Sequence, residues 1–376
     1  MARRGKRRSS SRPKVRYAVV GLGYIAQNAV LPAFAQAEDN SELTALISGD
    51  PIKLRRLARR YGVEHTFTYD DWEEALESDL FDAVYIALPN HLHHRYSVMA
   101  ANAGKHVLCE KPMALSEEEA EDMIRAAERN DVRLMIAYRL HFERANLRAI
   151  ETVDSGALGD PRAFDSLFAM QAKPGGIRLR RETGGGTLWD IGIYCINAAR
   201  HLFKDEPLEV FAYTANSGQA RFDEVEEMCC AVLRFPEARL ATFTTSFGAS
   251  DIATYTVLGT KGCLKVENGY EYAEPITHEL TVDDRTTERE FKKRDQFAPE
   301  LVYFSDCVRN GTEPEPSGVE GLIDVAIIRA LYRSAETLKP VEYHGPARRR
   351  RPTPSQEIYR RPHREPELIH SSSPHE

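Results

Sequence analysis

Residues 83–116 read AVYIALPNHLHHRYSVMAANAGKHVLCEKPMALS. Two short apolar segments, Ala83–Leu88 and His106–Cys109, lie on either side of a segment of helical length. Short apolar strands joined by a helix are typical of a parallel β-α-β unit. In open α/β sheets, ligands bind at the carboxyl ends of such strands. This stretch therefore predicts a ligand site at its strand ends.

Chemically capable residues follow both of these strands. Pro89-Asn90 and His93 come after the first strand, and Glu110-Lys111-Pro112 follows the second. A lysine in this place is either a solvated surface charge or a catalytic cation, and its position alone does not choose between them. His91, His93 and His94 have no fourth ligand at a suitable spacing, so no metal site is predicted.

A glycine turn opens the fold upstream. The apolar strand Val15–Val20 runs directly into Gly21-Leu22-Gly23-Tyr24-Ile25-Ala26. Gly21 suits a tight turn, Gly23 leaves room for a pyrophosphate, and Ala26 lets the next helix pack on the strand. The helix N-terminus supplies amides and a favourable dipole to phosphates. The sequence thus predicts a dinucleotide-binding domain.

The end of the second strand bears on which dinucleotide binds. An acid at this position binds the ribose hydroxyls of NAD, but here Leu43–Ser48 ends in a neutral serine. A hydroxyl with Lys53 or Arg55 nearby accommodates a 2′-phosphate, so NADP is favoured over NAD. Asp50 keeps the alternative open, because it takes the NAD role if the register is shifted.

The order of segments predicts two domains. Residues 15–142 form an α/β nucleotide domain that ends after Tyr138, Arg139 and His141 at a last parallel strand, Arg133–Ala137. Residues 143–344 form an α+β domain with a large, mostly antiparallel sheet. Such a sheet needs a cover on its second face, so a homo-oligomer, a dimer or tetramer, is expected. The strands of this domain are predicted at Arg162–Gln171, Leu208–Ala215, Met228–Phe235, Arg239–Phe247, Thr254–Gly259, Cys263–Glu267 and Glu279–Val282, and its closing helices at Phe297–Asn310 and Val319–Leu338.

Composition excludes several classes of protein. The chain has 376 residues and a formal net charge of −7, although its first 16 residues carry eight Lys or Arg and no acid. An acidic body with basic ends argues against nucleic-acid binding by the folded part. No apolar run reaches membrane-spanning length, and six cysteines without framework spacing indicate reduced thiols in a cytoplasmic protein. Residues 1–14 and 345–376 are predicted to be disordered.

A second chemical site lies in TGGGTLWDIGIYCINAARHL, at residues 183–202. Its glycines allow the backbone to approach a ligand. Asp190 and Tyr194 are four residues apart and share one helix face. Such a pair on an exposed helix is ordinary, but the surrounding apolar residues favour a buried pocket.

These motifs together resemble the Gfo/Idh/MocA oxidoreductases over roughly residues 15–343. The resemblance rests on GLGYIA, the Pro89-Asn90 to His93 loop, Glu110-Lys111-Pro112 and GGGTLWDIGIY. Within the family, the chain is most similar to the glucose–fructose oxidoreductases, through stretches such as LISGDPIK, MIAYRLHF and RLRRETGGGTLWDIGIY. The resemblance implies a Rossmann domain followed by the open-sheet domain.

The resemblance also implies roles for individual residues. Lys111 would be the cation that polarises a sugar C1 hydroxyl, Tyr194 the general acid/base, and Asp190 a ligand of the sugar hydroxyls. A free tyrosine has a pKa of about 10, so a nearby ammonium is needed to stabilise its phenolate. Arg178, Tyr138 and Arg139 would line the substrate or nicotinamide pocket, Ser48 and Lys53 would hold the 2′-phosphate, and Gly21, Gly23, Tyr24, Ile25, Pro89, Asn90, His93 and Glu110 would bind the rest of the cofactor.

The expected activity is NADP-dependent oxidation of an aldose at C1 to the lactone, with hydride passed on to a second sugar or released as NADPH. A dehydrogenase of another aldose or polyol, such as xylose, is the enzyme alternative. A non-catalytic NADP-sensing regulator is the alternative of another class. The joint presence of Lys111, Asp190 and Tyr194 speaks against a sensor, which needs no proton-transfer groups. Three features differ from the glucose–fructose branch: the expected export leader is missing, the N-terminal arm is short and basic, and Ile177 stands where a tryptophan is expected in the loop before the glycines.

Overall fold

The computed structural model describes residues 13–347 and 350–374. Residues 1–12 of the predicted basic arm lie outside the described part of the chain. The rest folds into two sheets, one of six strands and one of nine. An α/β nucleotide fold followed by a large, mostly antiparallel sheet is therefore confirmed.

The first sheet is entirely parallel, in the order β3-β2-β1-β4-β5-β6. This is the strand order of a dinucleotide-binding Rossmann domain, and its ligand crevice lies where β1 and β4 lead in opposite directions. All four residues of β4 are buried, which explains its uninterrupted apolar sequence. The strands are β1 (Val15–Val20), β2 (Ser41–Ile47), β3 (His65–Phe67), β4 (Ala83–Ile86), β5 (His106–Cys109) and β6 (Leu134–Ile136).

Helices connect these strands. The first one, predicted to kink at Pro32, consists of a π-type turn, Ala26–Val30, a single α-helical turn, α1 (Leu31–Ala33), and a 3₁₀ turn, Phe34–Gln36. Asp50 caps the next helix by accepting hydrogen bonds from two amides. The remaining helices of this region are α2 (Pro51–Tyr61), α3 (Trp72–Glu77), α4 (His93–Asn102), α5 (Glu117–Arg129) and α6 (Arg144–Asp154).

The second sheet runs β14-β13-β12-β11-β7-β10-β9-β8-β15, and its neighbours are antiparallel except for the parallel pair β7 and β10. Its strands alternate buried and exposed residues, as expected when one face packs on the core. The strands are β7 (Pro161–Ala169), β8 (Glu209–Ala215), β9 (Met228–Phe235), β10 (Arg239–Ser246), β11 (Ile252–Gly259), β12 (Gly262–Glu267), β13 (Ile276–Val282), β14 (Arg285–Phe291) and β15 (Val341–Glu342).

Three further helices hold the two sheets together. α7 (Ile193–Phe203) packs on β7, and α9 (Gly318–Thr337) packs between α5 and β8. α8 (Ala298–Asn310) was predicted to close the second domain. In the structure it packs on β1 and β2 instead, and its apolar residues, including Leu301 and Phe304, join the core of the nucleotide sheet.

A buried ion network ties α7 to α9. Arg200, fully buried, donates to Glu320 at 2.7 Å and to Asp324 at 2.6 Å. Within the described residues, His141, His201 and Glu320 form a group whose ligand atoms lie within 4.8 Å of one another. His141 is already bound to Glu315 at 2.7 Å and Glu320 to Arg200. We therefore interpret this group as a structural network rather than a metal centre.

Residues 350–374 are predicted from the sequence to be disordered, but they are ordered in the structure. It runs as extended chain along the surface, and Ile369 is buried in the core of the nucleotide sheet. Arg351 pairs with Glu206 at 2.6 Å, and Glu357 accepts from Arg294 at 2.8 Å. Its polar composition predicts disorder because it contains few apolar anchors, yet one apolar residue and several ion pairs hold it. No helix in the described part of the chain is long and apolar enough to cross a membrane.

Candidate functional site: a cleft between the two sheets

A cleft of about 1680 Å³ lies at the carboxyl ends of the parallel strands and reaches the second domain. Its walls contain every predicted site residue except Tyr138. The predicted residues that line it are Gly21, Gly23, Tyr24, Ile25, Ser48, Lys53, Pro89, Asn90, His93, Glu110, Lys111, Arg139, Arg178, Asp190 and Tyr194. Two motifs about 80 residues apart in sequence, EKP and GGGTLWDIGIY, thus share one cavity.

The glycine turn has the geometry that a dinucleotide needs. Gly21 has φ +92°, and a Cβ there would lie 2.5 Å from the carbonyl oxygen of Ala87, so a larger residue does not fit. A Cβ on Gly23 would meet nothing within 4 Å, which leaves open space beside the backbone. These residues fit a pyrophosphate held against the first helical turn.

The adenosine end of the cleft is formed after β2. Ser48 is buried, and its hydroxyl accepts a hydrogen bond from the Asp50 amide at 3.2 Å. Asp50 uses Oδ1 to accept from the amides of Ile52 and Lys53. Because this oxygen is occupied by helix capping and Asp50 does not line the cleft, the geometry favours Ser48 and Lys53 over Asp50 as ligands of the ribose.

The loops after β4 and β5 are fixed by side chains that the sequence singled out. Asn90 donates to the carbonyl oxygen of Gly184 at 2.8 Å and so joins the two domains across the cleft. The ring nitrogens of His93 lie 2.7 Å from the carbonyl oxygen of Pro112 and 2.8 Å from that of Leu88. Burial lowers the pKa of His93, and the neutral ring donates its one N–H to one of these two carbonyl oxygens, so His93 helps to fix the loops after β4 and β5.

The floor of the cleft contains a three-residue ion cluster. The Lys111 ammonium donates to the Asp190 carbonyl oxygen at 2.7 Å and to its carboxylate at 3.2 Å, and Arg178 binds the other carboxylate oxygen at 2.5 Å. Burial raises the pKa of Asp190, but Arg178 and Lys111 outweigh this effect and hold it well below its usual range. Burial lowers the pKa of Lys111. The charges of Tyr194, Asp190 and Glu110 raise this pKa by more than burial lowers it, so the net shift is upward. Lys111 is therefore a permanent cation.

Tyr194 lies between two cations. The Lys111 ammonium is 4.8 Å from the centre of its ring, and the Arg139 guanidinium is 5.0 Å from it. Arg139 is held by Gln296 and by the carbonyl oxygen of Tyr270. Burial lowers the pKa of Arg139, but Tyr194 and Glu271 outweigh it and the pKa is raised. Two buried cations therefore lie against the ring of Tyr194.

Local backbone geometry brings Asp190 to the cleft. Leu188–Gly192 forms a π-type turn that leads into α7, a feature that is frequent at functional sites. A Cβ on Gly185 would lie 2.4 Å from the Arg178 carbonyl oxygen, so the loop that carries Arg178 packs directly on the glycine backbone. The triple glycine thus sets the distance between Arg178 and Asp190.

Glu110 is a buried carboxyl at the edge of this floor. It accepts a hydrogen bond from the Tyr85 hydroxyl at 2.8 Å. Burial raises its pKa, against the opposing charge of Lys111. Glu110 lines the cleft directly before Lys111 in the chain.

Tyr138 lies elsewhere. It lines a separate, small pocket, and its ring stacks on His141 at 5.3 Å. The sequence placed it at the right strand end, but the chain turns there and directs Arg139 to the cleft. Conversely, the sequence analysis missed Tyr270, Glu271 and Tyr272, which line the cleft from the loop after β12. A Tyr-Glu-Tyr triplet in a loop carries no motif that would have revealed them.

Comparison with known proteins agrees with these observations. The family model described as "Oxidoreductase family, NAD-binding Rossmann fold" matches residues 15–138, and the "GFO/IDH/MocA C-terminal domain" matches residues 146–265. A protein named D-xylose 1-dehydrogenase [NADP(+)] from Haloarcula marismortui is 35% identical over 330 residues, which cover 86% of this chain and 91% of that protein.

Solved structures show the same similarity. The aldose-aldose oxidoreductase from Caulobacter crescentus, solved with glycerol, is 36% identical with a TM-score of 0.83, and the match covers 88% of this chain and 99% of that one. The 3-ketoreductase KijD10 from Actinomadura kijaniata, solved with NADP and TDP-benzene, is 28% identical with a TM-score of 0.78 and covers 85% of this chain and 98% of that one.

Proposed function

This chain belongs to the Gfo/Idh/MocA oxidoreductase family, and we propose that it oxidises an aldose at C1 to the lactone. The cofactor is NADP. The observation that carries the proposal is the ion cluster of Lys111, Asp190 and Arg178 beside Tyr194, on the floor of the cofactor cleft. A cation, a hydroxyl-binding carboxylate and a phenol within one pocket suit the removal of a proton from a sugar hydroxyl.

Four residues of the cleft have separate roles in this reaction. Asp190 accepts hydrogen bonds from sugar hydroxyls, and Arg178 holds its carboxylate in place. Lys111 polarises the C1 hydroxyl, and Tyr194 takes its proton. When bound, NADP⁺ accepts the hydride that leaves C1, which yields the lactone, NADPH and one proton. The buried, positively charged floor stabilises the negative charge that develops on the C1 oxygen.

A direct test is turnover of NADP⁺ with a panel of aldoses, monitored as the absorbance of reduced nicotinamide. D-Xylose comes first because the relative from Haloarcula marismortui is named for it. Reduction with at least one aldose and identification of a lactone product support the proposal. Absence of reduction with every aldose, together with activity on an acyclic polyol, would replace it with the polyol alternative.

Hydride transfer to a second sugar is a second candidate, favoured by the similarity to the aldose-aldose oxidoreductase. Freshly purified protein would then show a reduced-nicotinamide band on addition of one aldose with no cofactor supplied. The band would fade when a second sugar is added. If the band requires added NADP⁺, the protein is a dehydrogenase with an exchangeable cofactor.

The preference for NADP predicts an effect at Lys53. Replacing Lys53 with alanine is expected to weaken NADP binding by about tenfold and to leave NAD binding unchanged, because an ammonium near a phosphate contributes a charge-assisted bond. Fluorescence titration of both dinucleotides measures the ratio. Arg59→Ala, on the same helix but outside the cleft lining, is the control. Equal binding of NADP and NAD by the parent protein contradicts the roles of Ser48 and Lys53.

We also propose that the protein forms a homo-oligomer through the outer face of the nine-stranded sheet. Large apolar side chains are exposed there on neighbouring strands, with Leu167 40%, Leu240 47% and Tyr213 58% exposed. Exposed apolar side chains on one face of a sheet favour a protein interface, and a second copy of the same sheet provides a matching surface.

Leu167→Glu is therefore expected to yield a monomer. A carboxylate on the central strand β7 would be buried without a partner in the interface, which is costly. Sedimentation velocity compares the variant with the parent. Val319→Glu replaces an exposed apolar residue on α9, away from the sheet, and should leave the assembly intact. A parent protein that sediments as a monomer rules out this interface.

A further inference from the structure

The C-terminal segment, residues 367–374, crosses the adenosine end of the cofactor cleft. It contacts the nucleotide domain at Gln27 and Asp50 and then reaches the second domain at Lys173. Pro374 lines the same cleft as Ser48 and Lys53. We refer to residues 367–374 as the strap.

The first contact is a reciprocal pair of hydrogen bonds. The Gln27 side chain donates to the carbonyl oxygen of Ile369 at 2.9 Å and accepts from its amide at 2.7 Å. Gln27 also donates to the carbonyl oxygen of Leu22, inside the glycine turn. Both Gln27 and Ile369 are buried. The strap is thus anchored, through one glutamine, to the backbone predicted to hold the pyrophosphate.

The second contact places an imidazole beside the ribose site. His370 Nδ1 lies 2.8 Å from Asp50 Oδ2, while Asp50 Oδ1 caps α2 and the Asp50 amide binds Ser48. His370 has φ +46°, a backbone conformation that L-residues rarely adopt. With Nδ1 directed at the carboxylate, His370 joins the strap to the residue that caps α2.

The third contact closes the span. The Lys173 amide donates to the carbonyl oxygen of Pro374 at 2.9 Å. Lys173 belongs to the loop between β7 and Arg178, on the substrate side of the cleft. A bound dinucleotide therefore has chain from both domains around it, with the strap joining them over its adenosine end.

We propose that the strap retains NADP in the cleft. The proposal rests on the proposed cofactor site. The strap is bonded to the nucleotide domain at Gln27 and Asp50 and to the second domain at Lys173, and its Pro374 lines the cleft. These contacts have to open before a dinucleotide leaves by the adenosine end, so the strap is expected to slow the release of the cofactor.

The test uses binding alone, with no sugar present. Full-length parent protein, His370→Ala and a chain ending at Leu368 are titrated with NADP and NAD, and dissociation is followed by stopped-flow fluorescence. His370→Ala removes the bond between the strap and Asp50 and is expected to speed the release of both dinucleotides. The shortened chain is expected to release both dinucleotides at least tenfold faster. His344→Ala, which removes another His–carboxylate pair at the surface, is the control.

Hydrogen exchange of the parent protein provides a measurement that does not depend on the folding of a shortened chain. NADP is expected to slow exchange in the peptide that contains Ile369 and His370. Equal release rates in His370→Ala and the parent protein overturn the role of the Asp50 contact. Unchanged release rates in the shortened chain, or exchange that is insensitive to NADP, overturn the strap. A failure to oxidise any aldose would overturn the proposed function and leave both results standing.

Discussion

Replacing Tyr194 with phenylalanine is expected to lower kcat by at least 100-fold and to leave NADP affinity unchanged. The substitution removes only the hydroxyl that takes the sugar proton, and proton transfer by a positioned side chain contributes on the order of 10²–10⁴ in rate. The ring keeps its contacts with Phe168 and Tyr270. Stopped-flow reduction of NADP⁺ by the aldose measures the chemical step directly.

The matched control is Tyr213→Phe, which removes a hydroxyl from an exposed tyrosine on the second sheet. The aldose KM distinguishes the two roles that a hydroxyl at residue 194 can have. A loss confined to kcat identifies proton transfer, whereas a loss confined to KM identifies a binding contact. Unchanged turnover in Tyr194→Phe removes this residue from the mechanism.

The nucleotide domain could be predicted because its signals are local. Each parallel strand is a short apolar run, since both of its faces are buried, and each ligand-bearing residue directly follows one. The glycine turn, Ser48 and Glu110-Lys111 all stand at such ends, and residues of each line the cleft. Their positions directly after the parallel strands were therefore enough to predict that they lie at one edge of the sheet.

Edge strands of the second sheet lacked this signal. β14 was missed because its sequence RTTEREF has six exposed residues and one buried residue, so no apolar alternation marks it. β15, at the other edge of this sheet, and β3, at the edge of the nucleotide sheet, are too short to show a period. β13 was predicted only from Glu279, although it begins at Ile276, because its exposed, polar partner gives no indication of where pairing starts.

The strap could not be predicted from the sequence, for a different reason. Gln27 and Ile369 are 342 residues apart, and neither belongs to a recognisable motif. The surrounding sequence is polar and rich in proline, which predicts disorder on composition alone. Long-range pairing of one buried amide with one backbone segment depends on tertiary structure, so composition could not reveal it.

Replacing Lys111 with methionine is expected to lower kcat by about 10²–10³, the range for the loss of one preorganised electrostatic donor. Methionine keeps the length of the aliphatic chain and removes the ammonium that lies next to both Asp190 and Tyr194. Arg178 still neutralises the carboxylate, so the fold is expected to survive. Turnover and thermal unfolding are measured on the same preparations.

Lys105→Met is the matched control, because Lys105 directly precedes β5 and Lys111 follows it closely. Lys105 donates to the carbonyl oxygens of Ser78 and Phe81, outside the cleft, so its loss should affect stability and not kcat.

The double variant Lys111→Met with Tyr194→Phe provides the sharper test. If the ammonium acts by stabilising the phenolate, then it has no phenolate to act on once the hydroxyl is gone, and the double variant should be little slower than Tyr194→Phe alone. Fully additive losses would mean that Lys111 acts on the sugar hydroxyl independently of Tyr194.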